Sequence, residues 1–178
     1  MALDANVRTR KSPLVGLVLA TGLLALVADA GASDFYSAIA QLPPDVHVYR
    51  YSGQPKSFLG LITPLPQLYV FNAQGHQIYG HTGDDDHLAK ALDKVFSSGA
   101  PAGDGKPLDA WTRKLTPLEG TQTVPTKSSA QFTIIEYWAS WCRYCFVERD
   151  QLLAYFREHP NLRVNWILAD ADKHKTTH

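Results

Sequence analysis

The chain predicts an α/β protein. Residues 132–169 read as strand, helix, strand. Residues 67–96 read as two strands joined by a tight turn and followed by a helix. Cys142 and Cys145, the only cysteines among 178 residues, stand where the strand of the second stretch runs into its helix. An apolar content of 45% is ordinary for a folded domain, and the length suits one domain or two small ones. A formal net charge of zero gives no electrostatic reason for a nucleic-acid partner.

The N-terminus has the pattern of a targeting segment. Arg8, Arg10 and Lys11 form a basic region, Leu14 to Val27 is apolar, and Ala28-Asp29-Ala30 is a small-x-small cleavage site. The apolar run is short for a membrane span. Residues 1–30 are therefore read as a secretory signal peptide, with membrane association only if that segment stays uncleaved. The expected location is periplasmic, an oxidising space where disulfides persist.

The elements follow in order. Ser33 or Asp34 caps a short helix through Gln41, closed by Pro43-Pro44. Val46 to Tyr51 alternates and is β-rich, so it is a strand. Gln67–Asn72 and His76–Tyr79 are strands joined by Asn72-Ala73-Gln74-Gly75, a hairpin signal. Asp84 or Asp85 opens a helix to Phe96, with Leu88, Leu92, Val95 and Phe96 on one face. Residues 98–131, rich in Gly, Pro, Ser and Thr, read as a linker. Leu108, Trp111 and Leu115 stand at helical spacing and predict a short docking helix within it. Phe132–Trp138 is a strand, Cys142 to His159 a helix closed by Pro160, and Leu162–Ala169 a strand.

A lone C-x-x-C is a weak signal. Behind a β-rich run holding one acid, Ile134-Ile135-Glu136-Tyr137-Trp138, and then Ala139-Ser140-Trp141, it becomes specific. This segment resembles the redox motif of the thioredoxin-like family of thiol–disulfide oxidoreductases. Leu65-Pro66-Gln67-Leu68-Tyr69-Val70-Phe71, with the hairpin and helix after it, resembles that family's cis-proline half. The order departs from the family, because here the proline half (31–97) precedes the cysteine half (132–178). The resemblance implies a three-layer sandwich around a central mixed sheet. Either the fold is circularly permuted and the two halves complete one another, or two incomplete modules stand in tandem. A dimer completed in trans and a truncated reading frame are further explanations of the same order.

The helix N-terminus predicts a depressed thiol pKa at Cys142, where unpaired backbone N–H groups favour negative charge and Arg143 adds a cation. Cys142 is then the nucleophile, and Cys145, one turn deeper, the resolving thiol. The resemblance puts Glu136 at the family's buried acid position, where burial raises its pKa and fits it for proton transfer. It also implies that Pro66 is cis beside the cysteines, that Trp141 belongs to a docking surface, and that Arg143-Tyr144 tunes the potential. That dipeptide matches neither the Gly-Pro of reducing thioredoxins nor the Pro-His of strong oxidases, so it assigns no direction. A structural disulfide is a poor alternative, because so short a loop constrains little of the unfolded chain.

The expected function is extracytoplasmic disulfide exchange with cysteine-containing exported proteins, recharged by a membrane redox partner and needing no cofactor. Two alternatives come from other classes: a binding or assembly protein with a vestigial motif, and a copper-handling protein. His174 and His178 supply H-x3-H after C-x2-C, but their distance from the cysteines does not suit a zinc finger, so no metal site is expected. His47, His76, His81 and His87 are expected at the surface.

Overall fold

The computed structural model describes residues 37–53, 64–99, 105–118 and 130–172. The signal segment, the start of the first helix and His174–His178 lie outside them. The elements in chain order are β1 (Val46–Ser52), β2 (Gln67–Asn72), β3 (Gln77–Thr82), α1 (Leu88–Ser98), α2 (Leu108–Thr112), β4 (Thr116–Pro117), β5 (Phe132–Trp138), α3 (Arg143–Glu158) and β6 (Val164–Asp170). The six strands form one sheet in the order β3-β2-β5-β6-β1-β4. It is mixed: β5 and β1 run parallel to β6, while β2 runs antiparallel to β5. Strands from both stretches interleave in this sheet. Two separate modules, each with its own sheet, are thus not what the chain forms.

The central strands are covered on both sides, which is why they read as nearly unbroken apolar runs. One face carries Leu68, Val70, Ile134, Trp166 and Leu168 against Leu88, Leu92 and Val95 of α1 and Leu152, Tyr155 and Phe156 of α3. The other carries Tyr69, Phe71, Ile135, Tyr137 and Ile167 against Leu108 and Leu115, with Trp111 packed on them. Each such side chain contributes about 1.5–3 kcal/mol when fully buried, so this two-sided core is the main source of stability.

Local chemistry sets the boundaries. The side chain of Asn72 accepts from the amides of Gln74 and His76, and Gly75 turns the hairpin at φ 78°, a backbone region open to glycine. α1 begins at Leu88, later than expected, because Asp85 instead accepts the His87 amide in a preceding turn. Gly99, left-handed at φ 55°, ends it. The short helix expected around Leu108 is α2. β4, not expected, pairs antiparallel with the end of β1.

Candidate functional site

β5 and β6 end side by side, and this end of the sheet builds the site. The Ala171 amide donates to the Trp138 carbonyl at 2.8 Å, and the Ser140 amide to Asp172 Oδ2 at 2.9 Å. These bonds hold the turn from Ala139 to Cys142, whose amide donates back to Ala139 at 3.0 Å. Cys142 is thereby set as the N-cap of α3. Its Sγ accepts the Cys145 amide at 3.1 Å, so a backbone donor of the first turn points at the sulfur. The two cysteines form a disulfide. Cys142 is 5% exposed and Cys145 fully buried, so Cys142 is the more accessible of the two.

The Leu65–Pro66 peptide bond is cis, as expected for Pro66. Pro66 is buried, and its carbonyl accepts the Gly83 amide at 2.8 Å. Leu65 packs against the cluster of Ala139, Cys142 and Cys145, together with Trp138 and Ala171. Among the described residues, no hydrogen bond engages the backbone of Leu65. Among the described residues, the site thus sets a disulfide beside one residue, Leu65, whose backbone makes no hydrogen bond, between Pro64 and Pro66 whose carbonyls both accept one.

Around the disulfide the surface is apolar. Trp141 is 70% exposed, Tyr144 56%, Val147 42% and Phe146 37%, a concentration of large side chains that solvent alone does not favour. Arg143 is exposed among them.

Between the sheet and α3 lies a set of charges. Glu136, on β5, is fully buried. Its Oε2 accepts Trp166 Nε1 at 3.0 Å, and its Oε1 is 3.5 Å from Arg149. Arg149 follows Cys145 by four residues, one turn along α3, and its guanidinium covers the Trp138 ring at 4.2 Å. Burial pushes the Glu136 carboxyl up to about 7, against the opposing pull of Arg149. Glu148, also buried, pairs with His81 of β3, and its carboxyl is likewise raised by burial.

Cys142 and Cys145 therefore meet the cis-Pro66 turn through Leu65, with Trp141, Arg143 and Tyr144 exposed nearby, while Glu136 is tied to their helix through Arg149, one turn past Cys145. His81 corrects the surface reading, since its side chain is only 13% exposed and packs against Glu148, whereas His47, His76 and His87 are exposed. Sequence reasoning missed Arg149, Glu148, Trp166 and Leu65. One signal was present: Arg149 falls on the stripe of Cys145, Leu152 and Phe156, where a charge needs a buried partner. No group of three or more His, Cys, Asp or Glu side chains is placed to hold a metal among the described residues. No described helix is long and apolar enough to cross a membrane.

Comparison with protein-family models, curated proteins and solved structures found no match.

Proposed function

We propose that the chain is a thioredoxin-like thiol–disulfide oxidoreductase, circularly permuted, that exchanges disulfides with exported cysteine-containing proteins through Cys142 and Cys145. The observation that carries this reading is a C-x-x-C disulfide at a helix N-terminus packed against Leu65 of a cis-proline turn, with a buried acid paired to the same helix one turn on. The strand order supports it as well. β2, from the first stretch, pairs with β5, and β3 lies beyond it, where a thioredoxin-like sheet needs its hairpin.

The exchange follows from the exposure of the sulfurs. In the oxidising direction a substrate thiolate attacks Cys142 Sγ. The Cys142–Cys145 bond breaks, its electron pair leaves on Cys145 Sγ, and Cys145 takes up one proton. A second substrate thiolate attacks the substrate sulfur of the mixed disulfide and releases Cys142 as thiolate, which the Cys145 amide and the helix N-terminus stabilise. The substrate dithiol loses two electrons and the protein disulfide gains them; reduction of a substrate is the reverse. Glu136 is the buried acid able to supply or accept the proton near neutral pH. Trp141 and Tyr144 form the docking rim for an extended substrate segment, and the free backbone of Leu65 pairs with it. A membrane redox partner resets the pair, and the site of action is periplasmic.

Single-cysteine variants test the assignment. Cys145→Ser traps a mixed disulfide with substrate protein at Cys142, and Cys142→Ser traps none. The opposite pattern contradicts these two roles.

A further inference from the structure

The exchange reading uses Glu136 but leaves His81 and Glu148 without a task. Leu68 of β2 stands in register with His81 of β3 on one side and with Glu136 of β5 on the other. Directly paired residues share a face, so His81, Leu68 and Glu136 form a row across the sheet. Leu168 continues it, and Arg50 of β1 stands in register beyond. His81 and Glu136 are two strand spacings apart, about 10 Å, with an apolar side chain between them.

α3 bridges that gap. Its consecutive residues Glu148 and Arg149 are 1% and 3% exposed. Glu148 takes His81, and Arg149 takes Glu136. The result is a string of alternating charge, His81, Glu148, Arg149, Glu136, that starts at the sheet edge and ends at the helix turn following Cys145. Burying four ionisable groups is costly unless each is matched, so the string is an expensive feature for a core to carry without use. Among the described residues Glu148 Oε1 and His81 Nδ1 are buried without a hydrogen-bond partner, so the outer half is not built as a closed structural pair.

We propose that His81 and Glu148 are a positioning pair for disulfide exchange: they set the charge on Glu136, and so its readiness to pass a proton to or from Cys145. This rests on the exchange reading. Neither residue touches the sulfurs; both act through Glu136. The groups that face them are few. His81 meets Glu148 of α3 and the Asp85 carboxylate, and packs by Tyr79 of its own strand. Glu148 meets His81, the field of Asp84 and Asp85, and Glu136. Glu136 meets Arg149, Glu148 and Trp166.

The direction of control follows from like-charge repulsion. An ionised Glu148 disfavours ionisation of Glu136. His81 favours the ionised form of Glu148, by hydrogen bond and by charge, against the upward push of burial. Without His81 that opposing pull is lost and the neutral form of Glu148 gains. Both His81→Gln and Glu148→Gln therefore reduce the negative charge at position 148, and both let Glu136 ionise at lower pH.

The test has two readouts. The first is the Glu136 carboxyl, followed by carbon-13 NMR of glutamate-labelled disulfide protein across pH. The second is the rate at which dithiothreitol reduces the disulfide across the same range. Wild type should titrate at about 7. His81→Gln and Glu148→Gln should each move that titration down by about one pH unit, with the break in the rate profile moving alongside. In a Glu136→Gln background His81→Gln should move the rate profile no further. If Glu148→Gln fails to fold, His81→Gln at the sheet edge carries the test. A Glu136 titration unmoved in a folded variant overturns the proposal, as does a His81 effect that persists without Glu136. A wild-type disulfide that neither dithiothreitol nor glutathione can cycle overturns the exchange reading itself, and the carboxyl titration distinguishes that failure from the first.

Discussion

Arg149 lies 3.5 Å from Glu136, with 3% and 0% of the two side chains exposed. A guanidinium and a carboxylate so fully withdrawn from water stand or fall together. The pair ties α3, which carries the cysteines, to the strand that leads into them. It thus joins the packing of the core to the chemistry of the site.

The first expectation concerns that pair. Arg149→Met leaves the Glu136 carboxyl buried without its main counter-charge and should destabilise the fold by about 3 kcal/mol. It should also raise the Glu136 carboxyl further, since Arg149 is the largest influence holding it down. Glu136→Leu with Arg149→Met should recover most of the loss, because no charge is then stranded. Urea denaturation of wild type and the two variants measures this. Equal instability of the single and double variants would show that Arg149 acts by packing.

Stability should depend on pH with a definite sign. Burial raises Glu136 from an ordinary 4.5 to about 7, so the folded state binds more protons than the unfolded chain across that interval. Its contribution is full below about 4.5 and is lost as pH rises through about 7. Glu148 shifts the same way and adds to the slope. Asp85 is lowered, by the His87 amide first, and acts with the opposite sign only at more acid pH. Denaturation of the disulfide form at pH 5 and 8 should show the protein weaker at 8. Glu136→Gln should flatten much of that difference.

Trp141 and Tyr144 should matter to partners and not to folding. Both are more than half exposed, so replacing either with alanine should change stability by less than about 0.5 kcal/mol. Exchange with an unfolded protein substrate should slow about tenfold for Trp141→Ala, while exchange with glutathione, which is too small to span the rim, stays near wild type. Equal slowing with both substrates would place the tryptophan in the chemistry rather than in docking.

Aromatic packing on the opposite face supplies a contrasting case. Trp111 lies against Tyr69 with centroids 4.1 Å apart, and α2 contributes little else beyond Leu108. Trp111→Ala should destabilise by about 3 kcal/mol. It should leave the exchange rate of the folded protein unchanged, because Trp111 packs on Tyr69 and Tyr137 and not on the cysteines. Thermal melts and exchange assays on one preparation check both halves.

The parts legible in the sequence are those set by local pattern. β2 and β5 match their expected spans, Gln67–Asn72 and Phe132–Trp138, because two-sided burial leaves an apolar run and the turns that bound it are explicit. Cys142 as the start of α3 follows from the same junction. β4 was not legible: Thr116 and Pro117 are extended only because β1 offers a partner. The late start of α1 turns on which backbone amide Asp85 accepts, and composition does not encode that choice. The charge string needs three strands and a helix in register. Its residues lie at 81, 136 and 148–149, so no window along the chain holds them together. His81 read as a surface residue because its partner is 67 positions away.

The most direct test of disulfide exchange through Cys142 and Cys145 is a thiol-trapping redox titration of the chain against glutathione buffers, read by mass. One reversible two-electron transition confined to these two cysteines is the predicted result. A midpoint at about −270 mV would mark a reductant and one at about −120 mV an oxidant. A disulfide that never opens across the accessible range, or a pair whose opened form does not close again, would contradict it.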